Sequence, residues 1–168
     1  MIVREITPAD YPILEDVLYH AYDTPSGGNA LDSREEIFKP DIYIQIKDFG
    51  APSDCGVVAE HDGLIVGAAW TRVMPTDFQV YSGIPDLVIS VLPEHRGKNI
   101  GTKIMEKLFE LSAKRGYKKT LLHVDETNPA IRLYKRLGYE ISYSYMDHKY
   151  DDVYGAVYIM VKDLLGYN

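Results

Sequence analysis

Cysteine is almost absent from this sequence, since Cys55 is the single thiol in 168 residues. One cysteine cannot form an internal disulfide, and it cannot build a cysteine-rich zinc site. The histidines show no metal-ligand spacing such as His-x-x-x-His, so we expect no bound metal. The fold must be stabilised by its hydrophobic core, and a reducing cytoplasm is the expected compartment.

Long apolar runs are also missing. No stretch approaches the roughly 18 residues of a membrane-spanning helix. Residues 1–6 lack the basic region and the apolar run that mark a signal peptide. We therefore expect a cytoplasmic protein with no membrane partner.

Positive charge is scarce, because 18 Lys and Arg face 25 Asp and Glu, for a formal net charge of −7. Binding to a phosphate backbone needs clustered basic residues, so this balance argues against a nucleic-acid partner. It fits a cationic or neutral substrate better than an anionic one.

The remaining composition is typical of a folded domain, with 46% hydrophobic and 26% charged residues. A chain of this length buries about 70% of the surface that it would expose when unfolded. We expect residues 1–168 to form a single domain.

Hydrophobic periodicity and turn residues predict the element order β-α-α-β-β-β-α-β-α-β-β. Predicted strands cover residues 2–6, 56–60, 64–73, 87–91, 120–124, 139–150 and 154–161, with Asp62-Gly63 as a tight hairpin turn. Predicted helices begin near residue 10, cover 32–47 with a break or kink at Pro40, and cover 100–116 and 128–138; residues 24–29 form a loop and 151–152 a turn. This order predicts an α+β domain built on a mixed sheet.

A loop rich in glycine and basic residues joins the strand at 87–91 to the helix that starts at residue 100. A helix N-terminus presents unpaired N–H groups, and anions bind there. Gly97 and Gly101 allow close approach of the backbone, Asn99 tolerates left-handed geometry, and Arg96 and Lys98 add positive charge. The alternative is a glycine-containing turn whose basic residues are merely solvated.

Standard nucleotide fingerprints are absent from this loop. The spacing Gly97-x-x-x-Gly101 is not the Gly-x-Gly-x-x-Gly of dinucleotide folds, and Lys98 precedes the second glycine instead of following it as in a P-loop. NAD and ATP are therefore poor candidates for the ligand.

Two motifs resemble those of the GNAT superfamily of N-acetyltransferases. The first is Ile89-Ser90-Val91-x-Pro93-x-x-Arg96-Gly97-Lys98-x-Ile100-Gly101-Thr102, which resembles the acetyl-CoA motif Gln/Arg-x-x-Gly-x-Gly/Ala, with Asn99 in place of the usual middle glycine. The second is Asn128-Pro129-Ala130-Ile131-Arg132-Leu133-Tyr134-Lys135-Arg136-Leu137-Gly138-Tyr139, which resembles the block Asn-x-x-Ala-x-x-Leu-Tyr-x-x-x-Gly-Phe/Tyr. The resemblance covers about residues 2–161 and implies a GNAT-like mixed, mostly antiparallel sheet flanked by helices.

The resemblance implies acetyl-CoA as the co-substrate. The backbone at Ile89 and Val91 would bond the pantetheine arm as an added strand, and the loop N–H groups would hold the pyrophosphate with help from Arg96. The implied cofactor-binding residues are Ile89, Val91, Arg96, Gly97, Lys98, Asn99, Ile100, Gly101, Thr102 and Asn128. For Asn128 the register differs by one from many members, and its role as a helix cap would also explain it.

The resemblance also implies catalytic residues. Tyr134 matches the family tyrosine that protonates the departing CoA thiolate, although the residue also lies on a core-facing helical stripe. His123 is the first candidate for the general base, because its ordinary pKa suits neutral pH and because related enzymes carry a glutamate in a similar strand. Asp86 is the second candidate and Glu60 the third, and some members have no dedicated base.

The implied activity is direct transfer of an acetyl group to a primary amine of a small molecule. The alternatives are a protein N-terminus or lysine as acceptor, or a CoA-binding sensor without catalysis. The acceptor cleft would lie between residues 19–43 and the last strand pair, both rich in acidic and aromatic side chains, which could instead be ordinary solvated groups. An unpaired edge strand in this fold would allow a homodimer.

Overall fold

The computed structural model describes residues 1–22, 31–150 and 153–167. Its strands are β1 (Ile2–Glu5), β2 (Cys55–His61), β3 (Leu64–Val73), β4 (Pro85–Val91), β5 (Lys119–Asp125), β6 (Glu140–Tyr150) and β7 (Val153–Asp163). Its helices are α1 (Leu14–Tyr22), α2 (Pro40–Tyr43), α3 (Ile100–Lys114) and α4 (Ile131–Arg136), with single 3-10 segments at Pro8–Ile13, Arg34–Phe38, Gln79–Tyr81 and Pro93–His95. The predicted element order and the α+β class are confirmed.

The strands form one sheet in the order β1-β2-β3-β4-β5-β7-β6. Strands β4 and β5 pair in parallel, and the other neighbours pair antiparallel. The sheet is therefore mixed and mostly antiparallel, as predicted. Strand β7 lies between β5 and β6. The second strand of the last hairpin therefore pairs with β5, and the first strand, β6, lies at the edge of the sheet.

The β2–β3 hairpin turns at Asp62 and Gly63, which have φ values of 52° and 79°. Two successive positive φ angles are those of a type I′ turn, which matches the right-handed twist of the flanking strands. The Asp-Gly signal predicted this turn correctly.

Both faces of the central strands are buried. On one face α3 packs through Ile104, Leu108 and Phe109, all fully buried. On the other face Leu18 of α1 packs near Trp70 of β3. Successive side chains of a strand point to opposite faces, so β2 and β3 alternate between the two clusters and hold α1 and α3 on opposite sides of the sheet.

The helix boundaries differ from the prediction at three places. Pro12 lacks a backbone donor, and residues 8–13 form a 3-10 segment before α1 begins at Leu14. The helical region predicted over 32–47 breaks at Pro40 as expected, but its first part is a 3-10 segment and its second part is only the short α2. Helix α4 begins at Ile131 rather than at Asn128.

The predicted loop over 24–29 and the predicted turn at 151–152 lie outside the described residues. Among the helices that the structure describes, none is long and apolar enough to cross a membrane.

Candidate active site

The loop that ends at α3 has the backbone geometry of an anion site. Gly97 and Asn99 have φ values of 74° and 61°, in the left-handed region. The Lys103 N–H donates to the Asn99 carbonyl at 3.4 Å, which opens the helix. The N–H groups of the first turn, from Ile100 to Thr102, therefore have no carbonyl partner within the helix and point past its N-terminus.

Gly101 lies where α3, β4 and α4 converge. An added Cβ would lie 3.4 Å from Leu133 Cδ2, 3.9 Å from Ile89 Cδ1 and 3.9 Å from Val91 Cγ2. A methyl group would already be in contact, and a larger side chain would fill the space between the helix N-terminus and the strand. The glycine therefore keeps this space open.

Strands β4 and β5 part soon after they meet, since their register holds the single pair Asp86 and Leu121. The Leu92 N–H donates to the Val66 carbonyl of β3. Backbone groups alternate in direction along a strand, so those of Ile89 and Val91 point away from β3, toward the β5 side. Arg96 Nε donates to the Val91 carbonyl at 2.9 Å. The diverging strands leave Ile89 open to pairing with an extended ligand chain.

A cavity of about 650 Å³ lies against this loop, between β4, α3 and α4. Of the predicted cofactor-binding residues, it is lined by Ile89, Val91, Arg96, Gly97, Asn99, Ile100, Gly101, Thr102 and Asn128. Lys98 is not among the lining residues, because its Nζ donates to the Glu94 carbonyl at 3.0 Å. The backbone of Lys98 stays in the loop while its side chain turns away.

Arg136 is a cavity residue that sequence reasoning missed. Its guanidinium donates to Thr102 Oγ1 at 3.1 Å, so it joins the last turn of α4 to the first turn of α3. Its place two residues after Tyr134 in the second motif was the available signal. With Arg96 it gives the cavity two arginines, and the described lining contains no carboxylate.

Tyr134 lines this cavity and a second one of about 460 Å³. The residue is 9% exposed, and its hydroxyl has no hydrogen-bond partner among the described residues. Burial raises the pKa of Tyr134 to about 12, so the phenol stays protonated near neutral pH. Asn128 Oδ1 accepts the Ala130 N–H at 2.9 Å and so orders the start of α4, which carries the tyrosine.

The second cavity contains two of the three candidate bases. His123 Nε2 lies 3.4 Å from Asp86 Oδ2, and His123 Nδ1 lies 3.1 Å from the Tyr145 hydroxyl. Desolvation raises the pKa of Asp86 to about 7, against the opposing effect of a bond from the Leu87 N–H, and it lowers the pKa of His123. The pair therefore combines a neutral imidazole with a carboxyl group that titrates near neutral pH.

Glu60 lies elsewhere. It pairs with Arg4 at 3.2 Å, at the edge of the sheet formed by β1 and β2, and it lines neither cavity. The acceptor cleft was predicted between residues 19–43 and the last strand pair. From the last strand pair Tyr145 and Asp147 line the second cavity, whereas residues 23–30 and 151–152 lie outside the described residues.

Comparison with known proteins agrees with this geometry. The model of the Acetyltransferase (GNAT) family matches residues 16–139. The chain belongs to the GNAT family. The matched region includes both motifs and every residue that the two cavities share.

Several mycothiol acetyltransferases match about half of this GNAT chain. A mycothiol acetyltransferase of Thermomonospora curvata is 36% identical over 84 residues, which are 49% of this chain and 26% of that enzyme. One of Saccharomonospora viridis is 31% identical over 83 residues, which are 47% of this chain and 27% of that enzyme. The match thus spans about a quarter of the length of these relatives.

Solved structures resemble this GNAT chain over nearly its whole length. The Salmonella typhimurium protein yncA, assigned as an acetyltransferase and solved with its cofactor acetyl-CoA, has a TM-score of 0.74 at 18% identity, covering 98% of this chain and 94% of that one. A ribosomal-protein-alanine N-acetyltransferase from Brucella melitensis has a TM-score of 0.72 at 21% identity, covering 97% and 99%. At these identities the likeness shows the GNAT fold.

Proposed function

We propose that this GNAT chain is a cytoplasmic acyltransferase that moves the acetyl group of acetyl-CoA directly to a primary amine of a small molecule. The observation that carries the proposal is the meeting of two cavities at Tyr134, one lined by arginines and the other by aspartates. An anionic donor and a cationic acceptor would thus approach a single buried phenol from opposite sides.

The residues of the first cavity fit acetyl-CoA. The outward-facing groups of β4 suit an amide-containing arm, and the first turn of α3 with Arg96 and Arg136 suits a pyrophosphate. When bound there, acetyl-CoA supplies an acetyl group activated as a thioester. Asn99 supplies the left-handed residue at the start of the helix, so the departure from the usual glycine preserves the turn.

The residues of the second cavity fit an amine. Asp86, with His123 beside it, can accept the proton that an ammonium must lose before it attacks. Tyr134 can supply a proton to the leaving group, since its raised pKa keeps the hydroxyl protonated. These two proton transfers require the carboxyl, the imidazole and the phenol. A CoA-binding sensor without catalysis would have no need of them.

Calorimetric titration tests the cofactor site first. Acetyl-CoA and desulfo-CoA should bind the wild type, ATP should not, and Arg96→Glu should weaken binding by at least about tenfold because it reverses a charge in the cavity. Lys98→Glu is the matched control, since it makes the same charge change on a side chain outside the cavity. Absence of acetyl-CoA binding to the wild type would overturn the proposal.

Turnover of amines is the second test. A panel of small primary amines, an N-terminal peptide and a lysine peptide separates the acceptor classes. Acetylation of peptides alone would replace the small molecule with a protein acceptor. Binding of acetyl-CoA with no turnover on any amine would favour the sensor.

A further inference from the structure

The two cavities have opposite charge. The first has two arginines and no carboxylate among its described lining residues. The second is lined by Asp41, Asp86, Asp125 and Asp147, and its described lining has no lysine or arginine. An opening that is acidic on several sides selects positive charge in its ligand.

Asp41 and Asp147 are exposed, whereas Asp10 and Asp54 are buried. Asp10 and Asp54 each pair with an arginine at 2.8 Å. Asp41 and Asp147 form no ion pair with any described residue, and the nearest basic partner of Asp86 is a neutral imidazole. Asp41 and Asp147 thus carry negative charge at the second cavity without an ion-pair partner in the part of the chain that the structure describes.

The carboxylates come from different elements of the cavity wall. Asp86 contacts His123, and the opposite side of that imidazole contacts Tyr145. Asp147 follows Tyr145 by two residues on β6, so both point to one face of the strand, about 7 Å apart along it. Asp41 comes from α2 on another wall.

Tyr22 lines the same cavity. Burial raises the pKa of Tyr22, and the negative charges of Asp41, Asp86 and Asp147 each raise it further. The three carboxylates therefore act on one shared space, although they are carried by α2, β4 and β6.

An independent observation marks this space as a ligand site. The Tyr134 hydroxyl, on a side chain only 9% exposed, lines the cavity without a partner among the described residues. The side chain is largely buried but its hydroxyl faces the cavity, so the hydroxyl is available to bond a ligand there. Tyr134 marks the end of the cavity where the reacting amine would lie.

We propose that the acceptor is a dicationic amine, whose reacting amino group lies beside Asp86 and whose second cationic group is held by Asp41 and Asp147. The proposal rests on the proposed function and narrows its acceptor. Tyr22 and Tyr145 also line the cavity, and aromatic rings attract cationic groups.

Matched pairs of amines test the acceptor class. Putrescine and cadaverine are compared with butylamine and pentylamine, which have the same chains and one charge fewer. We expect kcat/KM to be about five to ten times higher for each diamine, since partly exposed ion pairs contribute modestly. The preference should shrink at high salt, because such pairs are screened.

Charge removal assigns the preference to residues. Asp41→Asn and Asp147→Asn should each lower kcat/KM for the diamine about threefold more than kcat/KM for the monoamine, so that the diamine preference shrinks by that factor. Asp163→Asn is the matched control, because it removes an exposed strand carboxylate whose partner is Lys119, outside the cavity.

The outcomes separate the two proposals. Equal kcat/KM for diamines and monoamines would overturn the dicationic acceptor and leave the acetyltransferase standing. A preference that Asp41→Asn, Asp147→Asn and Asp163→Asn all leave intact would also overturn it. Failure of all amines to react, with acetyl-CoA bound, would overturn the small-amine function itself.

Discussion

Asp86 and His123 meet across the divide between β4 and β5, with Oδ2 of the carboxyl 3.4 Å from Nε2 of the imidazole. The pairing occurs next to the point at which the two strands part, and both groups line the second cavity. Because desolvation raises the pKa of the acid and lowers the pKa of the imidazole, the carboxyl is the group that titrates near neutral pH.

The first prediction concerns the pH dependence of catalysis. A general base acts only when it is deprotonated, so kcat/KM should fall as the pH drops below about 7, the pKa of Asp86. Asp86→Asn should lower kcat by about 100-fold and abolish this acidic limb. Glu60→Gln, at the alternative base that lies outside the cavities, should leave the profile unchanged; a profile lost in Glu60→Gln would contradict the assignment.

The same shift predicts an effect on stability. A folded-state pKa above the ordinary 3.8 favours folding at low pH, and this contribution is lost as the pH rises through about 7. Asp86→Asn should therefore raise the free energy of unfolding at pH 8 by on the order of 1 kcal/mol or more. Urea unfolding of both proteins at pH 5 and pH 8 measures the difference, which should be smaller at pH 5.

Tyr145 should act as a positioning residue for His123. Tyr145→Phe removes the 3.1 Å contact to His123 Nδ1, and we expect a shift of the acidic limb of the pH profile with a loss in kcat of less than about tenfold. Tyr143→Phe is the matched control, two residues earlier on β6 and packed on Phe78. Equal effects of the two substitutions on the profile would refute this role.

Tyr134→Phe should separate catalysis from binding. Loss of the hydroxyl should lower kcat by about 100-fold or more and leave the Kd of acetyl-CoA unchanged, because the ring remains in place. Stability should not fall, since the hydroxyl has no partner among the described residues to lose. Tyr139→Phe, in a neighbouring buried ring whose hydroxyl lies 3.4 Å from Thr120, should leave kcat near that of the wild type.

Asp10 should govern stability in acid. The Arg4 guanidinium and two bonds from Thr7 hold the pKa of Asp10 well below its ordinary 3.8. Its contribution is thus present above about pH 4 and lost as the pH falls below that value. Asp10→Asn should lower the free energy of unfolding at pH 7 by about 2 kcal/mol, measured by urea unfolding, whereas Asp163→Asn at an exposed pair should change it by less than about 1 kcal/mol.

Local signals predicted most of the fold, and nine of the ten residues predicted to bind the cofactor line the first cavity. Asp62-Gly63 predicted the β2–β3 hairpin, and the glycine-containing loop predicted the start of α3, because such geometry depends on a few adjacent residues. The contact between His123 and Tyr145 was not predictable, since it requires β7 to lie between β5 and β6. That sheet order depends on distant packing, and no adjacent residues encode it.

Side-chain direction was the other part that the sequence could not provide. From the sequence, Lys98 and Arg96 were equally good candidates for a cation in the cavity. In the structure, Lys98 donates to the Glu94 carbonyl, whereas Arg96 donates to the Val91 carbonyl of β4. Arg136 occupies a variable position of the second motif. It reaches the cavity because α4 packs beside the start of α3.

The parting of β4 from β5 creates a strand edge inside the sheet rather than at its rim. An exposed edge at the rim invites pairing with another protein chain, which is a route to aggregation. Here the opening is bounded by α3 and α4, which line the cavity together with β4. The unpaired backbone of β4 therefore lies beside a cavity within the domain rather than along an outer edge of the sheet.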